Sequence, residues 1–74
     1  MKWIETNKGS FVNASLIEEI IPFNNKVHAC MNSGTEVELA AYDSDEKAQA
    51  CAAHFIDQLR KPKTVTIKAK IEEE

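Results

Sequence analysis

The sequence predicts an α+β fold: an antiparallel β-meander of about five strands, one C-terminal helix packed on one face, then a final strand. Three observations predict it. Residues 3–42 break into short alternating runs separated by Asn, Gly and Pro. Residues 44–61, SDEKAQACAAHFIDQLRK, form the one stretch long enough for a real helix. Residues 64–71 alternate again beyond Pro62. With 74 residues there is room for one core. The reading places a meander-plus-helix domain at 1–61 and a C-terminal strand extension with an acidic end at 62–74. A chain this short buries only about 60% of the surface it exposes when unfolded, so its stability margin is thin.

The strands follow in order. Lys2-Trp3-Ile4-Glu5-Thr6 has the aromatic and β-branched make-up of a strand. Asn7-Lys8-Gly9 is a turn, and Ser10-Phe11-Val12-Asn13 returns as the second strand of a hairpin. Ala14-Ser15-Leu16 suits a single helical turn between strands. Ile17 to Phe23 carries both helical and strand spacing, and its β-branched density with Pro22 favours an edge or bulged strand. Asn24-Asn25-Lys26 is a turn. Val27-His28-Ala29-Cys30-Met31 then alternates, with Val27, Ala29 and Met31 on one face and His28 and Cys30 on the other. After the Asn32-Ser33-Gly34 turn, 35–42 alternates too, with Val37, Leu39 and Ala41 inward.

In the helix, Ala48, Ala52, Phe55 and Leu59 recur at helical spacing and form one stripe, flanked by Cys51 and Ile56. Lys47, Ala50, Asp57 and, nearer the edge, His54 lie opposite. Asp43 with Glu46 fits a capping box, and Ser44 followed by Asp45 and Glu46 fits a cap with acidic first-turn residues. Arg60 and Lys61 suit the C-terminal end of the helix dipole, and Pro62 stops the helix. In the last segment Val65, Ile67, Ala69 and Ile71 share one face.

The run Phe11-Val12-Asn13 through Ile17 and Ile20, the Asn32-Ser33-Gly34 turn and the Tyr42-Asp43-Ser44-Asp45 helix start carry a resemblance. Over roughly residues 3–59 the chain resembles small bacterial and phage proteins with a short sheet and a terminal helix. A similar "VN" step occurs in LytTR-type DNA-binding domains and in a small flagellar-operon protein family. The resemblance implies the sheet-plus-helix fold. The basic readout residues of a LytTR-type domain are missing here, so DNA binding is not carried over.

Composition narrows the function. Apolar content of 43% and charge of 28% fit a folded, soluble domain. Net charge is −3, and residues 1–59 hold four lysines against nine carboxylates. Such acidity is a poor basis for sequence-independent binding to phosphates. Cys30 and Cys51 are too few for a disulfide scaffold and read as reduced thiols. No apolar run reaches membrane-span length, and the first residues lack a signal-peptide pattern. The expected location is therefore the cytoplasm, with no membrane contact.

Catalytic chemistry finds little footing. His28 and Cys30 on a strand with Cys51 and His54 on the helix could in number satisfy a tetrahedral zinc ion. However, a strand whose Val27, Ala29 and Met31 face the helix turns His28 and Cys30 away from it. Cys51 lies mid-helix, where little helix-terminal field lowers its pKa, and no third residue is evident to orient His54. Two glycines leave no phosphate-cradling loop. No cofactor, metal or catalytic residue is expected, and the chain is read as a non-enzyme.

The basic residues Arg60, Lys61, Lys63, Lys68 and Lys70 read as helix-end charges and edge-strand lysines that discourage aggregation. The favoured function is a protein-interaction module that self-associates as a homo-oligomer, foremost a dimer, through a sheet surface or the strand carrying Val65, Ile67, Ala69 and Ile71. A further protein partner stays unspecified. The alternative is a small nucleic-acid-associated regulator using the basic segment from Arg60 to Lys70.

Overall fold

The computed structural model describes residues 2–69. The protein is α+β, with six strands in two small sheets and one helix near the C-terminus. β1 (Trp3–Glu5) and β2 (Phe11–Asn13) form the first hairpin, with Ile4 opposite Val12. Gly9 turns the chain at φ 89°, a left-handed value that glycine adopts without a Cβ clash. Buried Thr6 holds this turn: its Oγ1 accepts from the backbone N–H of Lys8 at 3.3 Å and of Ser10 at 3.2 Å.

The five-strand meander expected from the sequence is divided. β2 runs into a single 3₁₀ turn at Ala14–Leu16, capped by the Asn13 side chain, which accepts from the Ser15 N–H at 3.0 Å. The chain leaves that turn in a second sheet, built from β3 (Ile17–Phe23), β4 (Lys26–Met31) and β5 (Glu36–Ala41). This meander sheet is antiparallel, in the order β3-β4-β5. β5 does not close on β1, because the second edge of β1 is taken by β6 (Thr66–Lys68) in parallel. The terminal sheet is therefore mixed, in the order β2-β1-β6.

Local chemistry explains the meander sheet. Asn24 and Asn25 both adopt left-handed backbone, φ 52° and 56°, as a two-residue hairpin turn demands. Phe23 and Lys26 flank that turn as its hydrogen-bonded pair, so the adjacent Pro22 turns its nitrogen to the outer edge, where no ladder bond is lost. β3 is an edge strand with an irregularity between Ile17 and Glu19. A bulge in β5 alters one inward position: Val27 pairs with Ala40 and His28 with Glu38. Leu39 is the extra residue, so Ala40 rather than Ala41 is fully buried beyond it.

α1 (Asp45–Leu59) starts at Ser44, whose Oγ accepts from the Lys47 N–H at 3.2 Å, with Asp45 and Glu46 in the first turn. It buries Ala48, Cys51, Ala52 and Phe55. Leu59 packs partly buried against that core, whereas Ile56 is 41% exposed. Cys51 is thus a central member of the stripe and Ile56 falls outside it. The helix covers β3 and β4 on one side and reaches β6 on the other. One core results, joining Phe55 and Leu39 with Ile4, Val12 and Ile67 from the terminal sheet.

The strand expected at 64–71 is shorter, and its partner is in the same chain. The Trp3 N–H donates to the Val65 carbonyl at 2.9 Å, and the Ala69 N–H to the Glu5 carbonyl at 2.9 Å. Ile67 and Ala69 are buried in the chain's own core, while Val65 is 60% exposed. Those two side chains are therefore not on offer to a second subunit while β6 stays on β1. Lys70 and Ile71 lie outside the described residues.

Candidate functional site

The parallel pairing of β1 with β6 has an electrostatic result. It carries Lys2 to the segment that holds Arg60, Lys61 and Lys63. Residues 2–13 and 60–69 together hold six basic side chains, Lys2, Lys8, Arg60, Lys61, Lys63 and Lys68, against one carboxylate, Glu5. Residues 17–46, which span the meander sheet and the start of α1, hold seven carboxylates against Lys26 alone. Among the described residues, the segments that build the terminal sheet are thus net basic and those that build the meander sheet net acidic. Lys2 ties the two basic segments together by donating from Nζ to the carbonyls of Lys61 and, at 2.8 Å, Thr64.

Each sheet has a face turned away from the core. In the terminal sheet Ile4, Val12 and Ile67 point inward, so their neighbours in register point out: Trp3, Glu5, Phe11, Asn13, Thr66 and Lys68. Phe11 is 57% exposed and Trp3 36%. Trp3 pairs with Asn13 and Glu5 with Phe11, so the two aromatics sit on a diagonal, about 7–8 Å apart by strand geometry. Lys68 stands beside Glu5 in the same row. Two exposed aromatics beside a balanced Lys68–Glu5 pair form a small apolar contact surface.

The outward face of the meander sheet is net acidic. Glu19, Cys30 and Glu36 share one row, Ile21, His28 and Glu38 the next, and Phe23, Lys26 and Ala41 the last. Lys26 is engaged by Glu38 at 3.8 Å. Burial, and then the carboxylates of Glu36, Glu19 and Glu18, push the Cys30 thiol above its ordinary value. A thiol held protonated is a poor nucleophile and a poor metal ligand.

The four candidate zinc ligands are not brought together. His28 and Cys30 lie on the outward face of β4, whereas Cys51 is buried inside against the core. Among the described residues no three His, Cys, Asp or Glu side chains converge as a metal-binding group. The Cys51 thiol lies 3.0 Å from the Tyr42 hydroxyl and 3.4 Å from the Ala69 carbonyl. Burial pushes its pKa up, and the Tyr42 hydrogen bond opposes that shift. Tyr42 also donates to the Ala69 carbonyl, so this trio fastens the end of β6 to the core. His54 is half-buried, with its ring 6.2 Å from that of Phe55.

Of the basic candidates, Lys61 pairs with Asp57 at 3.5 Å, and Arg60, Lys63 and Lys68 are exposed. A recess of about 210 Å³ opens between the Asn24–Asn25 turn and the start of α1, lined by Pro22, Phe23, Asp45, Ala48 and Gln49. It is small for a ligand cleft, and Asp45 there already accepts from the Asn25 N–H at 2.8 Å.

Sequence reasoning took Trp3 and Phe11 simply as strand residues. The signal that places them outside is the pair of tripeptides Trp3-Ile4-Glu5 and Phe11-Val12-Asn13, in which a single aliphatic residue sits between two others. In so short a strand only the central side chain can enter the core. No described helix is long and apolar enough to cross a membrane. Comparison with protein-family models, curated proteins and solved structures finds no match to this chain.

Proposed function

We propose that the protein is a non-enzymatic interaction module that docks an acidic protein surface on the outward face of its terminal sheet. One observation carries this: exposed Trp3 and Phe11 share that face with the Lys68–Glu5 pair, on a sheet built, among the described residues, from the net-basic segments 2–13 and 60–69. The aromatics supply rigid apolar contact area, and the lysines select the sign of the partner. Such a site needs no cleft.

A second reading uses the same face for single-stranded nucleic acid. The diagonal aromatics could stack two successive bases while Lys68 and Lys63 meet phosphates. Glu5 beside Lys68 and the net charge of −3 oppose it.

An NMR titration separates the two. Isotope-labelled protein at low salt is titrated with a glutamate-rich peptide and, separately, with a single-stranded RNA oligomer. The proposal expects the Trp3 indole, Thr66 and Lys68 signals to move with the peptide, and the response to fade in Trp3→Ala and Lys68→Glu. Movement with RNA alone would install the second reading. No movement with either probe would remove both.

A further inference from the structure

We infer that β6 is an exchangeable strap: opening the Lys61–Thr64 turn carries it onto β1 of a second copy, in the same register, and Lys2 is the clamp that opposes this. The site it would fill is defined by what it holds now. β6 lies at the edge of the terminal sheet and pairs with one strand, β1. Its segment buries two side chains, Ile67 opposite Ile4 and, beyond it, Ala69. The Ala69 carbonyl accepts from the Tyr42 hydroxyl and lies 3.4 Å from the Cys51 thiol. A strand held along one edge by so few groups opens at a lower cost than the whole fold. The edge of β1 that it vacates, with Ile4, Tyr42 and Cys51 beside it, already matches residues 65–69 of this sequence. The same residues of a second copy fit it unchanged.

The contacts of this segment divide into two sets. The Trp3 N–H to the Val65 carbonyl, the Ala69 N–H to the Glu5 carbonyl and Ile67 against Ile4 all lie beyond the turn, and they reform when the strand comes from another chain. The contacts of the turn belong to the closed monomer alone. There the Thr64 N–H donates to the Lys61 carbonyl at 3.3 Å, and Thr64 Oγ1 donates to Gln58 Oε1 at 3.4 Å. Lys2 Nζ donates to the carbonyls of both Lys61 and Thr64. Straightening the turn draws those two carbonyls apart, so one ammonium no longer holds both. Lys61, Pro62 and Lys63 are exposed, and the residue before a proline favours the extended backbone that an opened turn needs. Straightened, the six residues from Arg60 to Val65 span about 20 Å. The exchange is reciprocal: each copy gives one strand and receives one, which closes a two-fold dimer.

Cross-linking between full-length chains tests the exchange. One chain carries Glu5→Cys and the other Lys68→Cys, positions that stand side by side in the β1–β6 register, and both carry Cys30→Ser to remove the outward thiol. Warmed together at millimolar concentration below the melting temperature, then cooled and oxidised, they should give a dimer linked through positions 5 and 68. Chains warmed separately and mixed only after cooling should give none. Lys2→Met in both chains should lower the dimer dissociation constant about tenfold, because each dimer forms without two clamps to break. An equal yield of linked dimer with and without joint warming would mean contact without exchange and would overturn the proposal. So would the absence of any link between chains that keep the wild-type melting temperature. Where a cysteine variant melts lower than wild type, isotope-filtered NMR on millimolar wild type reads the same event. An Ile4–Ile67 contact between labelled and unlabelled chains supports the exchange, and a contact confined to one chain overturns it. A dissociation constant that stays level or rises in Lys2→Met overturns the role of the clamp.

Discussion

In the meander sheet each strand pairs with the one that follows it, across a short turn whose residues are chosen for the turn: Asn24 and Asn25 at positive φ, then Gly34 at φ 93°. In the terminal sheet β1 pairs on one side with its neighbour and on the other with β6, which the rest of the chain separates from it. The strands of the first sheet run six or seven residues, and those of the second run three. The local sheet has enough ladder to hold its own register. The distant one depends on what lies beneath it, namely Ile4, Val12 and Ile67 packed into the common core. Short strands of distant origin are held by side chains more than by backbone.

Four measurements test whether the two sheets are held in these different ways. The largest effect is expected at Phe55, fully buried under both sheets. Phe55→Ala should cost about 3–5 kcal/mol and unfold both sheets together, read as one cooperative loss in a denaturant melt. A near-neutral shift would mean the helix does not pack on this face. Next is Ile67→Ala, which removes the side chain of β6 that is buried opposite Ile4. It should cost about 2–5 kcal/mol, with amide exchange rising first in β1 and β2 while β3 to β5 stay protected. Uniform exchange throughout would erase the distinction between the sheets.

Tyr42→Phe is a smaller cut, because it removes only the hydroxyl that donates to the Ala69 carbonyl. A loss of about 0.5–1.5 kcal/mol is expected, with exchange rising at Ala69 before anywhere in the meander sheet. The smallest effect is a pH slope. Burial raises the Cys51 thiol, so the unfolded chain gives up this proton first. Stability from the buried neutral thiol is complete below the ordinary value of 9.0 and declines as pH rises through the folded value. Cys51→Ala should flatten that alkaline decline, and an unchanged slope would show that the thiol contributes nothing to it.

The same contrast decides what could be read from the sequence. The helix was legible because its stripe, its Ser44 cap and its Pro62 stop agree on one segment. The hairpins of the meander sheet were legible because turn residues name both the turn and the pair it joins. The alternation of residues 64–71 gave a face for the last strand, but alternation carries no information about which edge receives it. The pattern therefore leaves both an edge of the chain's own sheet and a neighbour's open, with the neighbour favoured, whereas β6 lies on β1 and buries Ile67 and Ala69 at home. The bulge at Leu39 was equally silent, since Leu39, Ala40 and Ala41 are all small or apolar enough for either face. The charge difference between the sheets was hidden for the same reason as the pairing. Lys2 joins the basic C-terminal residues only once β1 and β6 are adjacent in space.

The position of β6 also orders events during synthesis. Chains emerge from the ribosome N-terminus first, so β1 and β2 appear early and β6 appears after everything else they touch. The meander sheet can be complete while Ile4 and Val12 still lack the cover that Ile67 provides. Until then β1 has one open edge and a half-built apolar underside, the kind of surface that invites chaperones or a neighbouring nascent chain. The closing step spans nearly the full chain and should be the slow one. A nascent chain extended by a C-terminal linker so that residues up to 61 have cleared the ribosome is expected to resist protease across β3 to β5 and to be cut between β1 and β2, becoming resistant throughout once 66–69 have emerged.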